Sequence, residues 1–235
     1  APAITSQPVS STSSYGSFAT LTTVATGSGP LDYQWLKNGT AIAGARGPSF
    51  SIPFLQRTDA GSYSVLVSNS AGSATSSAAT LTVNPLPQSI TFGALGEKTY
   101  GDAAFTLSAT ASSALTVTYA SSNPAVATMS GTTVTIIGAG TANITASQDG
   151  DGSVAAAPVV VRTLTVAKAP STVTLGSLAA VYDGTAKEGS ATTSPAVATG
   201  NVMFVYTGTA SESTPPTNVG SYGVTATIQD ANYTG

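Results

Sequence analysis

Short stretches in which apolar and polar residues alternate run along almost the whole chain. They are rich in Val, Thr, Ile and Tyr, and clusters of Gly, Pro, Asn, Asp and Ser separate them. Alternation with a period of two is typical of half-buried β-strands, whereas helical periodicity is nearly absent. The pattern therefore predicts an all-β fold of packed sheet pairs. The clearest predicted strands cover residues 19–25, 31–37, 62–68, 79–83, 105–109, 115–120, 132–137, 141–146, 202–206 and 220–229.

A repeat divides this pattern. The tetrad Thr-Leu-Thr-Val occurs at residues 80–83 and 163–166, each copy is followed by a proline, and the same 83-residue offset relates residues 90–95 to 173–178. Self-similarity at a fixed period indicates an array of modules. We predict three β-sandwich modules, near residues 1–84, 85–168 and 169–235. A further step would place the next tetrad beyond Gly235, so the third module is expected to lack its last strand.

Composition limits the class of partner. Charged residues make up only 7% of the 235 residues and hydrophobic residues 41%, and hydroxyl side chains fill most other positions. The net charge is −3 and no Lys or Arg run exists, which argues against nucleic acid as a partner. No stretch reaches the roughly 18 apolar residues of a membrane helix, so membrane insertion is not expected. The hydroxyl-rich, charge-poor composition favours a secreted or cell-surface protein.

Two motifs near the N-terminus carry a specific signal. Trp35 lies on a predicted strand, and Asp59, Gly61 and Tyr63 form an Asp-x-Gly-x-Tyr motif ahead of the next one. Residues 4–83 thereby resemble an immunoglobulin-like domain. The resemblance implies that Trp35 packs between two sheets and that the Tyr63 hydroxyl bonds back to the backbone near Asp59, as a tyrosine corner.

The disulfide of that family is missing. Thr23 and Val65 stand where the two Cys would be, as in cysteine-free versions of the domain, and the chain contains no Cys at all. A native disulfide is worth about 2–5 kcal/mol, so packing around Trp35 alone must hold the sheets together. The resemblance also implies an ion pair of Asp59 with Arg57 or Arg46.

Later motifs resemble two other module families. Residues 121–128 and 131–145 look like the bacterial Ig-like group 2 family: Asn123 and Pro124 set a turn, and Gly138 with Gly140 allows a tight reversal. The runs Tyr-Asp-Gly-Thr-Ala-Lys at 182–187 and Asn-Val-Gly-Ser-Tyr at 218–222 are similar to the MBG repeats of bacterial adhesins. The resemblances imply small β modules of large bacterial surface proteins.

The sequence contains few residues suited to catalysis or metal binding. The chain has no His, and no carboxylate pair flanks a cleft motif, so we expect no enzyme, no catalytic residue and no cofactor. The one acidic cluster, at residues 149–152, offers Asp149 and Asp151 as candidate Ca²⁺ ligands. Calcium needs about six to eight oxygens, and a hairpin turn explains the same residues, so we favour the turn.

These features predict a structural role, as an extracellular module array in a bacterial surface stalk, adhesin or filament. Its partners would be further domains of the same chain or identical subunits, through the open edge of the third module; surface glycans and other proteins are further candidates. We favour a strand from a continuing chain over one from a neighbouring subunit.

The alternative is an accessory or carbohydrate-binding segment of a large secreted polysaccharide-degrading enzyme. An aromatic row on one sheet face would favour it. The aromatic residues that are left as candidates for surface exposure are Tyr15, Tyr100, Tyr119, Tyr206 and Tyr233.

Overall fold

The computed structural model describes residues 1–176, 178–208, 211–212 and 214–235, and β-strands dominate them. Helix in these residues is limited to two 3₁₀ turns, Arg57–Asp59 and Thr199–Asn201. The all-β prediction is confirmed. The chain divides into two compact units, one of Ala1–Ser89, Ala111–Leu115 and Gln148–Pro158, the other of Ile90–Thr110, Thr116–Ser147 and Val159–Gly235. The three-module division near residues 84 and 168 stays a prediction.

The first unit contains one large sheet of the order β2-β10-β8-β5-β6, with β9 also on β8, and two strand pairs, β1 with β4 and β3 with β7. Neighbours in the large sheet are antiparallel except β2 and β10, which are parallel. The strands are β1 Ala3–Ser6, β2 Ser11–Ser14, β3 Ala19–Thr22, β4 Val24–Thr26, β5 Asp32–Lys37, β6 Thr40–Ala41, β7 Ser49–Ile52, β8 Gly61–Asn69, β9 Gly72–Thr75 and β10 Ala79–Asn84.

Alternation decides which residues of the large sheet face inward. Tyr63, Val65 and Val67 of β8 are buried with Leu81 and Val83 of β10, and hydroxyl-bearing residues of β10 stand on the exposed face. A shift of one residue would turn the whole apolar set outward, so burial specifies the register.

The strand predicted over residues 19–25 is divided in two. Thr23 lies between the two strands: its N–H donates to the carbonyl oxygen of Pro48 at 3.0 Å, and the β3–β7 ladder ends there because Pro48 has no N–H to donate in return. As a result β3 pairs with β7 while β4 pairs with β1.

The strands after residue 89 in the described part of the chain build several smaller sheets. Their orders are β11-β14, β12-β19-β18-β15, β13-β17-β16, β20-β26, β21-β22 and β24-β23-β25. The bounds are β11 Ile90–Phe92, β12 Lys98–Thr99, β13 Phe105–Thr106, β14 Ala109–Ala111, β15 Thr118–Ser121, β16 Ala127–Ser130, β17 Thr133–Ile136, β18 Gly140–Ser147, β19 Val160–Ala167, β20 Ala169–Pro170, β21 Thr172–Leu175, β22 Ala191–Ser194, β23 Val202–Thr207, β24 Ser211–Glu212, β25 Gly223–Ile228 and β26 Tyr233–Thr234.

Two of these sheets differ in how their central strand pair is flanked. We call β12-β19-β18-β15 the closed sheet, because β19 pairs antiparallel with β18 on one side and parallel with β12 on the other. We call β24-β23-β25 the open sheet, because β25 forms a ladder only with β23 among the described strands.

The turns predicted next to the closed sheet are present. The Asn123 carbonyl oxygen accepts the Val126 N–H at 3.1 Å, so the Asn-Pro pair does open a turn. A Cβ on Gly138 would lie 2.7 Å from the Ala125 carbonyl oxygen, and Gly140 has φ +136°. Only glycine meets both requirements without strain.

Candidate functional site: cores, joints and an open groove

Trp35 lies at the centre of the first unit's core. Its side chain has no solvent exposure, and its indole Nε1–H donates to the Gly47 carbonyl oxygen at 3.0 Å. The Phe50 ring lies between the other two aromatic rings, 6.3 Å from Trp35 and 6.1 Å from Tyr63 between ring centroids. Aromatic packing of this kind adds to area burial, so it supplies cohesion in a core without a disulfide.

The two positions that lack the family's disulfide cysteines are both buried. Thr23 is 4% exposed and its hydroxyl donates to the Ser6 carbonyl oxygen at 2.9 Å, while Val65 is fully buried. The Thr23 hydroxyl therefore has the partner that a buried polar group requires, and Val65 adds apolar volume.

Tyr63 has tyrosine-corner geometry. The ring is 1% exposed, and its hydroxyl donates to the Asp59 carbonyl oxygen at 2.7 Å. Burial, with a smaller contribution from the negative charge of Asp59, raises the pKa of Tyr63 to about 12. The Lys37 ammonium lies 5.8 Å from the ring centroid and donates to the Thr58 carbonyl oxygen.

The ion pair expected for Asp59 is wrong. Its Oδ2 instead accepts the Gln56 N–H at 2.8 Å, because the 3₁₀ turn between these residues brings that donor within reach. Neither Arg57 nor Arg46 forms an ion pair with it, and the ion pair found in the described residues is Lys187 with Asp183.

Gly61 in the same motif is required by a close approach. A Cβ there would lie 2.9 Å from Asn38 Oδ1, the atom that accepts the Ser62 N–H. Any larger residue would displace that amide.

A second corner of the same kind was not predicted. The Tyr222 hydroxyl donates at 3.2 Å to the carbonyl oxygen of Asn218, which lies four residues earlier. As Tyr63 does in β8, Tyr222 lies next to the start of a strand, here β25. The signal was available, since Asn-Val-Gly-Ser-Tyr at 218–222 matches Asp-Ala-Gly-Ser-Tyr at 59–63 in its last three residues.

The segments after β10 and β19 are bonded in similar ways. In the first unit, the Leu86 N–H donates to the Ser153 carbonyl oxygen and the Leu86 carbonyl oxygen accepts the Ala155 N–H, both at 2.8 Å. In the second unit, and 83 residues further along, the Ala169 N–H donates to the Asn232 carbonyl oxygen at 2.8 Å, and β20 pairs parallel with β26.

Side chains reinforce the second of these joints. Asn232 Oδ1 accepts the Ala139 N–H at 2.8 Å, and the Tyr233 ring meets the Tyr100 ring edge-on at 5.3 Å between centroids. The Asp230 carboxylate accepts the N–H groups of Asn232 and Tyr233. These backbone hydrogen bonds, together with the Asn201 amide and the charge of Lys168, lower the pKa of Asp230 against the effect of desolvation.

The candidate calcium ligands lie in a tight turn. Asp151 Oδ1 accepts the Ser153 N–H and hydroxyl, both at 2.7 Å, and the Val154 N–H at 2.9 Å, bonds that lower the pKa of Asp151. Within the described residues no group of three or more His, Cys, Asp or Glu side chains comes together. That carboxylate therefore already serves the turn, and Asp149 is exposed.

The tyrosines left as candidates for surface exposure are at least half-buried. Tyr119 and Tyr206 accept the backbone N–H of Ala109 and of Gly189, each at 2.7 Å, which draws both rings inward. Tyr15, Tyr100 and Tyr233 are half-buried. None of these five candidate rings is therefore fully exposed, because contacts with residues distant in sequence cover them. The strongly exposed rings in the described residues, Phe18, Phe54 and Tyr182, all lie outside strands.

A groove runs beside the open sheet. Its volume is about 470 Å³, and its lining includes Tyr222 and Val224 together with Leu178, Ala180 and Tyr182. Leu178 is 55% exposed and Tyr182 is 61% exposed. Asp183 follows Tyr182 in the chain, and hydrogen bonds from Lys187 and Thr185 lower the pKa of its carboxyl.

Comparison with known families gives one match in the N-terminal part of the chain and one in the C-terminal part. Residues 1–69 match the immunoglobulin domain family, and residues 171–235 match the MBG domain family. With the all-β fold, these matches confirm tandem Ig-like modules and two of the three resemblances. The group 2 resemblance of the middle module stays a prediction.

Individual relatives cover only parts of the chain or are distant. A decoration protein of Escherichia phage T5 is 42% identical over 72 residues, which are 30% of this chain and 44% of that protein. The match thus spans less than half of that relative. A titin–obscurin-like 1 Ig complex matches 35% of this chain and 92% of its own at 30% identity and TM-score 0.33. A titin segment in complex with telethonin matches 70% of this chain and 95% of its own length, at 20% identity and TM-score 0.42.

None of the described helices has the length and apolar character needed to cross a membrane.

Proposed function

We propose that this chain is a structural array of three β-sandwich modules displayed at an extracellular or virion surface, where it spaces and presents other protein domains rather than catalysing a reaction. The observation that carries the proposal is the bonded joint. Leu86 and Ala169 stand one repeat apart, and the backbone of each pairs with a later loop. A linker whose backbone groups are paired loses freedom, so it acts as a stiff spacer rather than a flexible tether.

The chemistry of the described surface agrees with a structural role. The buried aromatic rings of the first unit pack or donate to backbone, and Asp151 and Asp230 accept hydrogen bonds within loops. No side chain of this set is left poised for proton transfer or nucleophilic attack, which a catalytic site would require.

The phage decoration protein supports display on a particle as well as on a cell. That relative's name describes a protein on a virion surface, and the shared 72 residues are a sizeable part of this chain. We therefore extend the expected settings, a bacterial stalk, adhesin or filament, to a virion surface, with protein subunits as partners. The carbohydrate-binding alternative gains no support, because the exposed rings of the described residues form no row on a sheet face.

Surface display is tested directly by immunogold labelling of intact cells and virus particles that carry the protein. We expect gold on the outer surface without permeabilisation. Labelling that requires permeabilised cells, and is absent from purified particles, would contradict the proposal.

Joint stiffness is tested by distance measurements between spin labels on β18 and β23, both in the second unit. The unmodified joint should give a narrow distance distribution. Asn232→Ala should broaden it, because the amide that accepts the Ala139 N–H is removed. Asn143→Ala is the matched control, since Asn143 Oδ1 accepts only within the closed sheet, from Thr163. Equal distributions in all three proteins would show that the joint does not depend on Asn232.

A further inference from the structure

Within the described strands, one edge of β25 lacks the neighbour that the corresponding strands of the other sheets have. In the first unit, β10 lies between β8, which is antiparallel to it, and β2, which is parallel. In the closed sheet, β19 lies between β18 and β12 with the same directions. Tyr182 follows Thr99 of β12 by one repeat of 83 and lines the groove, as does Val224 of β25. Among the described strands β25 therefore has a ladder on one side only, and the groove lies beside its residue Val224.

Backbone groups of β25 point outward at this unpaired edge. The Ile228 N–H donates to the Gly235 carbonyl oxygen at 3.0 Å, on the side away from β23, while the Gln229 N–H donates to Asn201 on the β23 side. Because direction alternates along a strand, the N–H and C=O groups of Val224 and Ala226 also point away from β23. Neither has a partner among the described residues, which leaves a row of groups able to pair with another strand.

The groove lining is mixed, since Lys187 and Glu188 lie in it with Val224, and the inward side chains of β25 are incompletely covered. Val224, Ala226 and Ile228 are half-buried, whereas the inward residues of β18, Ala142, Ile144 and Ala146, are at most 2% exposed. Val181, next to Tyr182 in the chain, is 86% exposed. In the closed sheet such surface is covered by Leu164 and Val166 of β19, both buried.

We propose that the open edge of β25 beside this groove binds an extended strand from outside residues 1–235, antiparallel to β25, in which large apolar residues alternate with hydroxyl residues as in Thr163–Leu164–Thr165–Val166. The apolar residues would cover Val224, Ala226 and Ile228, and the hydroxyls would face solvent. A second copy of residues 1–235 is not the donor, because both strands with this tetrad, β10 and β19, are already paired on their two sides. Backbone pairing supplies affinity and the alternate pockets supply specificity.

The first test uses a fluorescent peptide with the sequence of Val160–Ala167 and the full 235-residue chain. We expect saturable binding, and protection of the Val224 and Ala226 amides from hydrogen exchange when the peptide is present. The matched control is a peptide of the same composition in which the alternation is scrambled; it should bind at least about ten-fold more weakly, because its apolar residues cannot all face the groove. Equal binding of the two peptides would overturn the proposal.

Variants locate the site. Val224→Asp places a charge in the groove and should weaken peptide binding at least about ten-fold, whereas Thr225→Asp, on the exposed face of the same strand, should leave it unchanged. Ala226→Pro removes an outward donor without touching the β23 ladder and should also weaken binding, which keeps the test decisive if Val224→Asp misfolds. Binding unaffected by Ala226→Pro would contradict the assigned edge.

Two further experiments identify the donor. Joining the Val160–Ala167 sequence behind Gly235 should fill the groove and abolish binding of free peptide, while joining the scrambled sequence should not. Sedimentation of the unmodified chain without peptide should give a monomer. An oligomer in which the β25 amides are protected would show that a second copy fills the groove, against the proposal.

Discussion

The closed sheet and the open sheet start from similar strands and end with different cores. Both contain a central antiparallel pair, β15 with β18 in one and β23 with β25 in the other. The inward residues of β18 are fully buried, yet the inward residues of β25 are half-buried. The difference is the strand β19, which brings Leu164 and Val166 onto β18.

The comparison shows that alternation alone does not make a core. β25 alternates as regularly as β18, but an alternating strand buries its apolar side only when a neighbour completes the sheet. The following predictions test how much of each sheet's stability depends on that neighbour, and the first sheet, closed by β10, provides a third case.

The largest effect is expected for Trp35→Ala in the first sheet. Trp35 is fully buried and the core has no disulfide, so we expect the free energy of unfolding to fall by about 3–5 kcal/mol, the usual range for a large aromatic. Denaturant unfolding followed by hydrogen exchange of β5 and β8 measures it. A loss below about 1 kcal/mol would remove Trp35 from the centre of the core.

The closed and open sheets are compared by the same substitution in each. Ile144→Ala, at a fully buried site of β18, should cost about 2–5 kcal/mol. Ile228→Ala, at a half-buried site of β25, should cost about 1 kcal/mol or less, because the lost contacts are already incomplete. Hydrogen exchange of each strand gives the two values. Equal costs would mean that β25 is as well covered as β18.

Alkaline pH should weaken the first sheet through Tyr63. Its pKa is raised from 10.0 to about 12, so below pH 10 both folded and unfolded forms keep the proton and stability is unchanged. Between pH 10 and about 12 the unfolded form releases its proton first, so stability falls by up to about 1.4 kcal/mol per pH unit. Unfolding curves across this range, with Tyr63→Phe as the control that loses this slope, measure it. An unchanged slope in the control would assign the effect to other tyrosines.

The two tyrosine corners should differ in strength. Tyr63→Phe removes a buried hydroxyl bonded at 2.7 Å and should cost about 0.5–1.5 kcal/mol. Tyr222→Phe removes a half-buried hydroxyl bonded at 3.2 Å, and we expect less than about 0.5 kcal/mol. Adding the strand peptide should raise the second cost if it shields Tyr222 from water. If the peptide leaves the cost of Tyr222→Phe unchanged, the Tyr222 corner is not part of the peptide-binding site.

The smallest effect concerns metal. We expect unfolding to be the same with chelator, with added Ca²⁺ and with reducing agent, because Asp151 Oδ1 already accepts three hydrogen bonds from its own turn and the chain has no Cys. Thermal melts measure this, with Asp151→Asn as the comparison. A rise of several degrees on adding Ca²⁺, absent from that variant, would establish a calcium site there.

Much of the fold could be predicted from the chain. The alternating pattern and the 83-residue repeat determine β-strands, their inward faces and the order in which modules recur. The Asp-x-Gly-x-Tyr motif also determines its corner, because donor and acceptor are four residues apart. The second corner carries the same local signal at Tyr222. Such features are local, since period and turn geometry act over a few residues.

Tertiary structure decided the rest. Asp59 accepts a hydrogen bond from Gln56 rather than pairing with an arginine, Tyr206 turns inward to meet Gly189, and Asn232 reaches Ala139. The groove depends in the same way on bringing Leu178, Ala180 and Tyr182 into one lining with Val224, some forty residues later in the chain. No short-range pattern encodes these contacts, because which strand edges meet, and which remain unpaired, follows from packing of the whole sandwich.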